Sequence, residues 1–340
     1  MIKKRFISML VLLAAVATGA MAQTTYKVSV KEGTEDATSW TIAPAEATTT
    51  GVAAGTEVKA TYSGTKKVKS VKAKKKANIV NLSTLEGDYV AQNGDVLTGT
   101  LNGSEKPYKI SIADGATVTL DNATINGVAG WAYDPMMAEK GEYDGYYEWC
   151  GLTCEGDATI ILKDGTENAV KGFLMIYPGI YVPVNKTLTI KGGAAGNGKL
   201  TAQNGTRGHS SGTGAGIGAG EGLSCGHINI QGGEITATGQ GDSAGIGGAN
   251  NGNCGNITIS GGKINATGDA NAAGIGGGAF MSCGDITIES TVISVTATSG
   301  SSNACSIGKG YNGSCGTVTI GGTVYADGVA TSPFTYPSAP

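Results

Sequence analysis

Arginine and histidine are nearly missing from this chain: Arg5, Arg207, His209 and His227 are all that 340 residues contain. Charged side chains make up only 15% of the sequence. Lys3, Lys4 and Arg5 precede an apolar run from Phe6 to Val16, and Ala20-Met-Ala22 gives the small-x-small pattern read by signal peptidase. Cleavage after Ala22 lowers Lys plus Arg from 24 to 21 against 27 acids, so the mature net charge is about −6. That balance argues against nucleic acid as a partner. The apolar run falls short of the roughly 20 residues a membrane span takes, and no second one follows. No cysteine stands at the cleavage site to take a lipid. The sequence therefore predicts an exported protein, periplasmic, at the cell surface or extracellular, with no transmembrane segment in the mature chain.

Proline is also scarce, at 8 residues beside 57 glycines, which excludes a collagen-like helix. β-Branched residues recur at strand spacing, which excludes a disordered low-complexity chain. Residues 23–78 read as a small antiparallel β domain. Its strand candidates are Tyr26–Val30, Ser39–Ile42, Thr56–Tyr62 and Lys66–Ala73, punctuated by Gly33, Pro44, Gly51, Gly55 and Gly64. Seven lysines between Lys66 and Lys76 read as a solvated edge strand or linker rather than a dock for an acidic polymer.

Residues 79–340 carry an internal repeat. Cys225-Gly-His-Ile-Asn-Ile230 returns as Cys254-Gly-Asn-Ile-Thr-Ile259, Cys283-Gly-Asp-Ile-Thr-Ile288 and Cys315-Gly-Thr-Val-Thr-Ile320, at intervals of 29, 29 and 32 residues. Gly216-Ile-Gly218 keeps the same step through Gly245-Ile-Gly247, Gly274-Ile-Gly276 and Ser306-Ile-Gly308. A third element runs Gly233-Glu-Ile-Thr-Ala-Thr238, Gly262-Lys-Ile-Asn-Ala-Thr267 and Thr291-Val-Ile-Ser-Val-Thr296. Three short alternating segments per repeat, with glycine corners, predict an all-β chain coiled as a right-handed parallel β-helix. Ile228, Ile257, Ile286 and Val318 should stack in one internal column, with Ile230, Ile259, Ile288 and Ile320 beside them. Looser copies reach back toward Ile79 or Asp88, and Ser332 to Pro337 suit a lid over the last coil.

These Ala-Gly-Ile-Gly-Gly and Cys-Gly-x-Ile-Thr-Ile coils resemble the pectin-lyase-like β-helix surface proteins of gut Bacteroidetes and related anaerobes. Gly33 to Thr38 and Gly64 to Val71 resemble a short β module that recurs in such proteins. The resemblance implies a carbohydrate-binding surface protein. Lyases and polygalacturonases share this fold, but they need clustered carboxylates and a basic group, or neighbouring aspartates. Here Asp-Asp never occurs, and the acids from Cys225 onward are scattered: Glu234, Asp242, Asp269, Asp285 and Glu289. Gly208-His-Ser210 is similar to a polygalacturonase fragment without its partners. No catalytic set is recognisable, and no cofactor or metal is expected.

Gly212 to Gly220 holds a dinucleotide-like glycine spacing, but a β repeat rather than a helix follows it, so it reads as a coil corner. Cys225, Cys254, Cys283 and Cys315 lie a coil apart, which predicts a buried ladder rather than a zinc site. Bridges within that ladder are sterically open, and Cys150 and Cys154 are near enough in sequence to bridge. The least repetitive stretch is the insertion at 131–149, with six of the chain's 20 aromatic residues in 19 positions. Trp131, Tyr133, Tyr143, Tyr146, Tyr147 and Trp149 alternate there with acids that include Asp134 and Asp144. Flat rings and carboxylates together suit a sugar, so the insertion and the lateral faces are the candidate contacts for a polysaccharide or other surface glycan. The competing reading is a flap that packs its own aromatics over a coil, with Phe173, Tyr177 and Tyr181 joining either arrangement. A structural or adhesive protein with a protein partner is the other functional alternative.

Export from a bacterial secretion host should yield a chain that begins at Gln23, read by N-terminal sequencing. Recovery with Met1 in place would show that the apolar run is retained.

Overall fold

Every repeated apolar position turns inward, because a strand places successive side chains on opposite faces. The computed structural model describes residues 77–127, 149–173, 176–205 and 213–337, together with six strands among residues 1–76. The chain divides into two compact units, Met1–Asn78 and Ile79–Pro340.

In the first unit, Glu57–Tyr62 pairs antiparallel with both Trp40–Ala43 and Ile7–Leu12. Thr25–Ser29 pairs antiparallel with Val52–Ala53 and Lys72–Lys75. The apolar run expected to leave on export thus serves as a strand in the full-length chain. Cleavage after Ala22, as the sequence predicts, would leave Glu57–Tyr62 paired with Trp40–Ala43 alone.

The second unit is a parallel β-helix with three lateral faces. Eight short parallel strands, from Tyr89–Ala91 to Ile307–Gly308, form the first face. The second and third faces begin as continuous strands, Val96–Asn102 and Ala116–Asn126. They then separate into Ala158–Leu162 and Glu167–Lys171, and into matched pairs in each later coil. Among the described residues, helix is confined to one 3-10 turn, Leu82–Thr84.

The second face stacks Ala116, Ala158, Leu188, Ile228, Ile257, Ile286 and Val318 in register. Beside them run Val118, Ile160, Ile190, Ile230, Ile259, Ile288 and Ile320, all buried. The third face has two inward columns: Leu101, Ile125 and Val170 give way to Ala202, Ala237, Ala266 and Ala297, while Asn168 gives way to Leu200, Ile235, Ile264 and Val295. Large and small side chains thus trade places between neighbouring columns along the stack, as close packing requires.

The first face depends on glycine. Gly218, Gly247, Gly276 and Gly308 have φ between 132° and 137°. At Gly218, Gly247 and Gly276 a Cβ would overlap the carbonyl oxygen of the next coil's glycine. Both the backbone angle and the spacing therefore demand Gly after Ile217, Ile246 and Ile275.

One repeat is placed differently from the sequence alignment. The repeat spacing in the sequence matches Thr291-Val-Ile-Ser-Val-Thr296 to Gly262 onward, which sets Ile293 beside Ile264. In the structure Val295 pairs with Ile264 and is fully buried, while Ile293 is 59% exposed. Two extra residues lie in the turn before this strand. A slip of two preserves the alternation, so the pattern alone cannot detect it.

The C-terminal end is closed by antiparallel pieces. Thr323–Tyr325 folds back on Val318–Ile320, and Phe334–Tyr336 pairs with Ser294–Thr298 where another coil would lie. These strands cover edges that would otherwise recruit further chains.

Val295→Ala should cost about 2 kcal/mol and Ile293→Ala no more than about 0.5 kcal/mol, as measured by urea unfolding. The reverse order would restore the register read from the sequence.

Candidate functional site

Between most first-face strands and the next second-face strand, a side chain closes the gap left in the backbone ladder. Asp114 Oδ1 accepts the Asp157 N–H at 2.8 Å, and Asp157 Oδ1 accepts the Thr187 N–H at 2.7 Å. Farther along, His227 Nδ1 accepts the Asn256 N–H, Asn256 Oδ1 the Asp285 N–H, and Asp285 Oδ1 the Thr317 N–H. Hydrogen bonding to the Asp157 N–H, with Lys186 nearby, holds the Asp114 carboxyl below its ordinary range.

The scattered acids mostly have structural work of this kind. Asp242 Oδ1 accepts from the backbone and the side-chain amide of Asn271, and Asp269 Oδ2 accepts the Gly241 N–H. Glu234 pairs with Lys263 at 2.7 Å. Among the described residues no group of three or more His, Cys, Asp or Glu is placed to hold a metal ion. His209 lies outside the described residues.

Of the candidate ligand contacts, Trp131, Tyr133, Asp134, Tyr143, Asp144, Tyr146 and Tyr147 also lie outside the described residues. Trp149 is half-buried and packs against the core, its ring centroid 5.7 Å from that of Phe173. Phe173 is buried, and its N–H donates to the Trp149 carbonyl. Tyr181 donates its hydroxyl to the Ser224 carbonyl at 3.2 Å, and burial pushes its pKa up to about 12. These three rings hold coils together rather than offering a free face.

The cysteine column is in place. Cys254 pairs with Cys283, and Cys283 with Cys315, in parallel register. All seven cysteines, Cys150 and Cys154 included, are free thiols. Burial raises the Cys150 thiol to about 12 and pushes Cys154 up as well.

A described surface open to a ligand is the outer side of the third face. A shallow groove of about 260 Å³ is lined by Glu234, Thr236, Lys263, Asn265, Ser294 and Thr296 over the backs of Ile235 and Ile264. One row along it alternates in charge: Glu167, Lys199, Glu234, Lys263, then Ser294. Lys199 meets Glu167 at 2.8 Å, and these ammonium groups hold Glu167 and Glu234 below the usual carboxylate range. The next row is Thr201, Thr236, Asn265 and Thr296, and the third is Gln203, Thr238, Thr267 and Thr298. The sequence signal for this site was the outward half of each alternation, Glu-x-Thr-x-Thr and Lys-x-Asn-x-Thr.

Trp149→Ala should lower stability by about 2–4 kcal/mol in urea unfolding, as removal of a large core side chain does. An unchanged midpoint would return Trp149 to the ligand-facing insertion.

The family pattern described as "Beta helix repeat" matches residues 228–250 and 257–279, two consecutive coils. No curated protein and no solved structure matches the chain. Among the described residues no helix is long and apolar enough to cross a membrane. With its in-register parallel sheets and this repeat, the chain is a parallel β-helix protein.

Proposed function

We propose that the protein is an exported, non-catalytic β-helix protein that binds a polysaccharide lengthwise along its third face. The observation that carries this reading is the groove from Glu234 to Thr296, with its three polar rows repeated once per coil. Lysine donates, glutamate accepts, and threonine, asparagine and glutamine do both, which is the mixed set that sugar hydroxyls require. Coils about 4.8 Å apart present this set at a regular interval, suited to a polymer of like rings. The exposed Thr201, Gln203, Thr236, Lys263 and Asn265 keep the floor flat and open to an extended chain. The structural roles of Asp114, Asp157, Asp242, Asp269 and Asp285 favour binding over catalysis.

Affinity electrophoresis of residues 23–340 against plant and host polysaccharides tests this. Retardation by a glycan should weaken on the order of 100-fold in a Glu234→Ala/Thr236→Ala/Asn265→Ala variant, at about 1 kcal/mol per hydrogen bond lost. Retardation that disappears only with Trp131→Ala would move the site to the insertion. A chain that no glycan retards would overturn carbohydrate binding and favour a protein partner.

A further inference from the structure

The seven thiols are not equivalent. Six are buried, and Cys315, at the C-terminal end of the column, is only partly so. It stands in parallel register with Cys283, one coil inward. The groups that face Cys315 are Cys283, Cys305, the Lys309 ammonium and backbone N–H, and Asp327. Cys305 is otherwise engaged, with its sulfur 3.3 Å from the Asp327 carbonyl oxygen. Cys283 lies 3.8 Å from the Gly308 carbonyl oxygen, one coil inward.

We propose that Cys315 and Cys283 form a thiol–disulfide exchange site that accepts a low-molecular-weight disulfide and closes into a bridge between the last two coils. The asymmetry of the pair sets the order of events. The adjacent Cys283 thiol, with help from Lys309, lowers Cys315 to about 7, whereas Cys283, buried beside it, is pushed up. Cys315 is therefore the thiolate and the attacking group. Its sulfur bonds to one sulfur of the incoming disulfide, and the other leaves as a thiolate that takes up a proton. Cys283 then loses its proton to solvent and attacks the Cys315 sulfur, releasing the second small thiol. Two protein thiols are oxidised by two electrons, and one external disulfide is reduced to two thiols.

The geometry makes this bridge reversible. In-register neighbours on parallel strands are about 4.8 Å apart, within the Cα range of a disulfide but wider than its usual Cβ separation of about 3.5–4.5 Å. Closure draws the coils together locally, and a strained bridge of this kind is easily reduced again. The terminal coil is the natural place for such movement, since no further coil stacks on its second-face strand, only a hairpin return.

Two measurements on the reduced protein test the assignment. Limiting iodoacetamide should label Cys315 at least ~10-fold faster than any other cysteine, with a rate that rises through about pH 7. After oxidised glutathione, alkylation under denaturing conditions and peptide mapping should find a Cys283–Cys315 bridge. Cys283→Ser should instead retain glutathione on Cys315, and Cys305→Ser should still form the bridge. First labelling at another cysteine, a bridge from Cys305 or Cys254, or no bridge in the unsubstituted protein would each overturn the proposal.

Discussion

Each residue of the β-helix must tolerate its own counterpart about 4.8 Å above and below, and this requirement governs the molecule. Isoleucine on isoleucine satisfies it through dispersion and burial, at about 1.5–3 kcal/mol for each side chain withdrawn from water. Glycine on glycine satisfies it where the backbone of one coil leaves no room for a Cβ on the next. Asparagine, aspartate and histidine satisfy it at the corner by accepting the N–H of the following coil. Like charges do not satisfy it, and the ionic row on the third face accordingly changes sign at each step.

The same requirement explains what the sequence disclosed. Columns such as Ile228, Ile257, Ile286 and Val318 were legible because identical surroundings select near-identical residues at a fixed interval. The extra residues before Val295 were not legible, because a displacement of two leaves every side chain on its original face. The closure by Phe334–Tyr336 was anticipated as a lid from its prolines and aromatics, but not its pairing with Ser294–Thr298.

The candidate site was legible only in part. Aromatic density drew attention to Trp131–Trp149, yet Trp149 spends its ring on Phe173 and the core. Sequence density reports a concentration of rings, while their direction depends on what the coils beneath leave unfilled. The groove from Glu234 to Thr296 had a weaker signal because threonine and asparagine on the outward positions are ordinary strand-surface residues one at a time. Their meaning comes from registration across coils, which needs the alignment of the third element to be right.

The alternating ionic row has a further consequence for how such a molecule can lengthen. Copying one coil and inserting the copy beside its parent keeps the isoleucine, glycine and cysteine columns intact, since each meets its own kind. On the third face the same event would set lysine on lysine or glutamate on glutamate. A duplicated pair of coils keeps the signs alternating. The heritable unit of growth compatible with this face is therefore two coils, although the unit of structure is one.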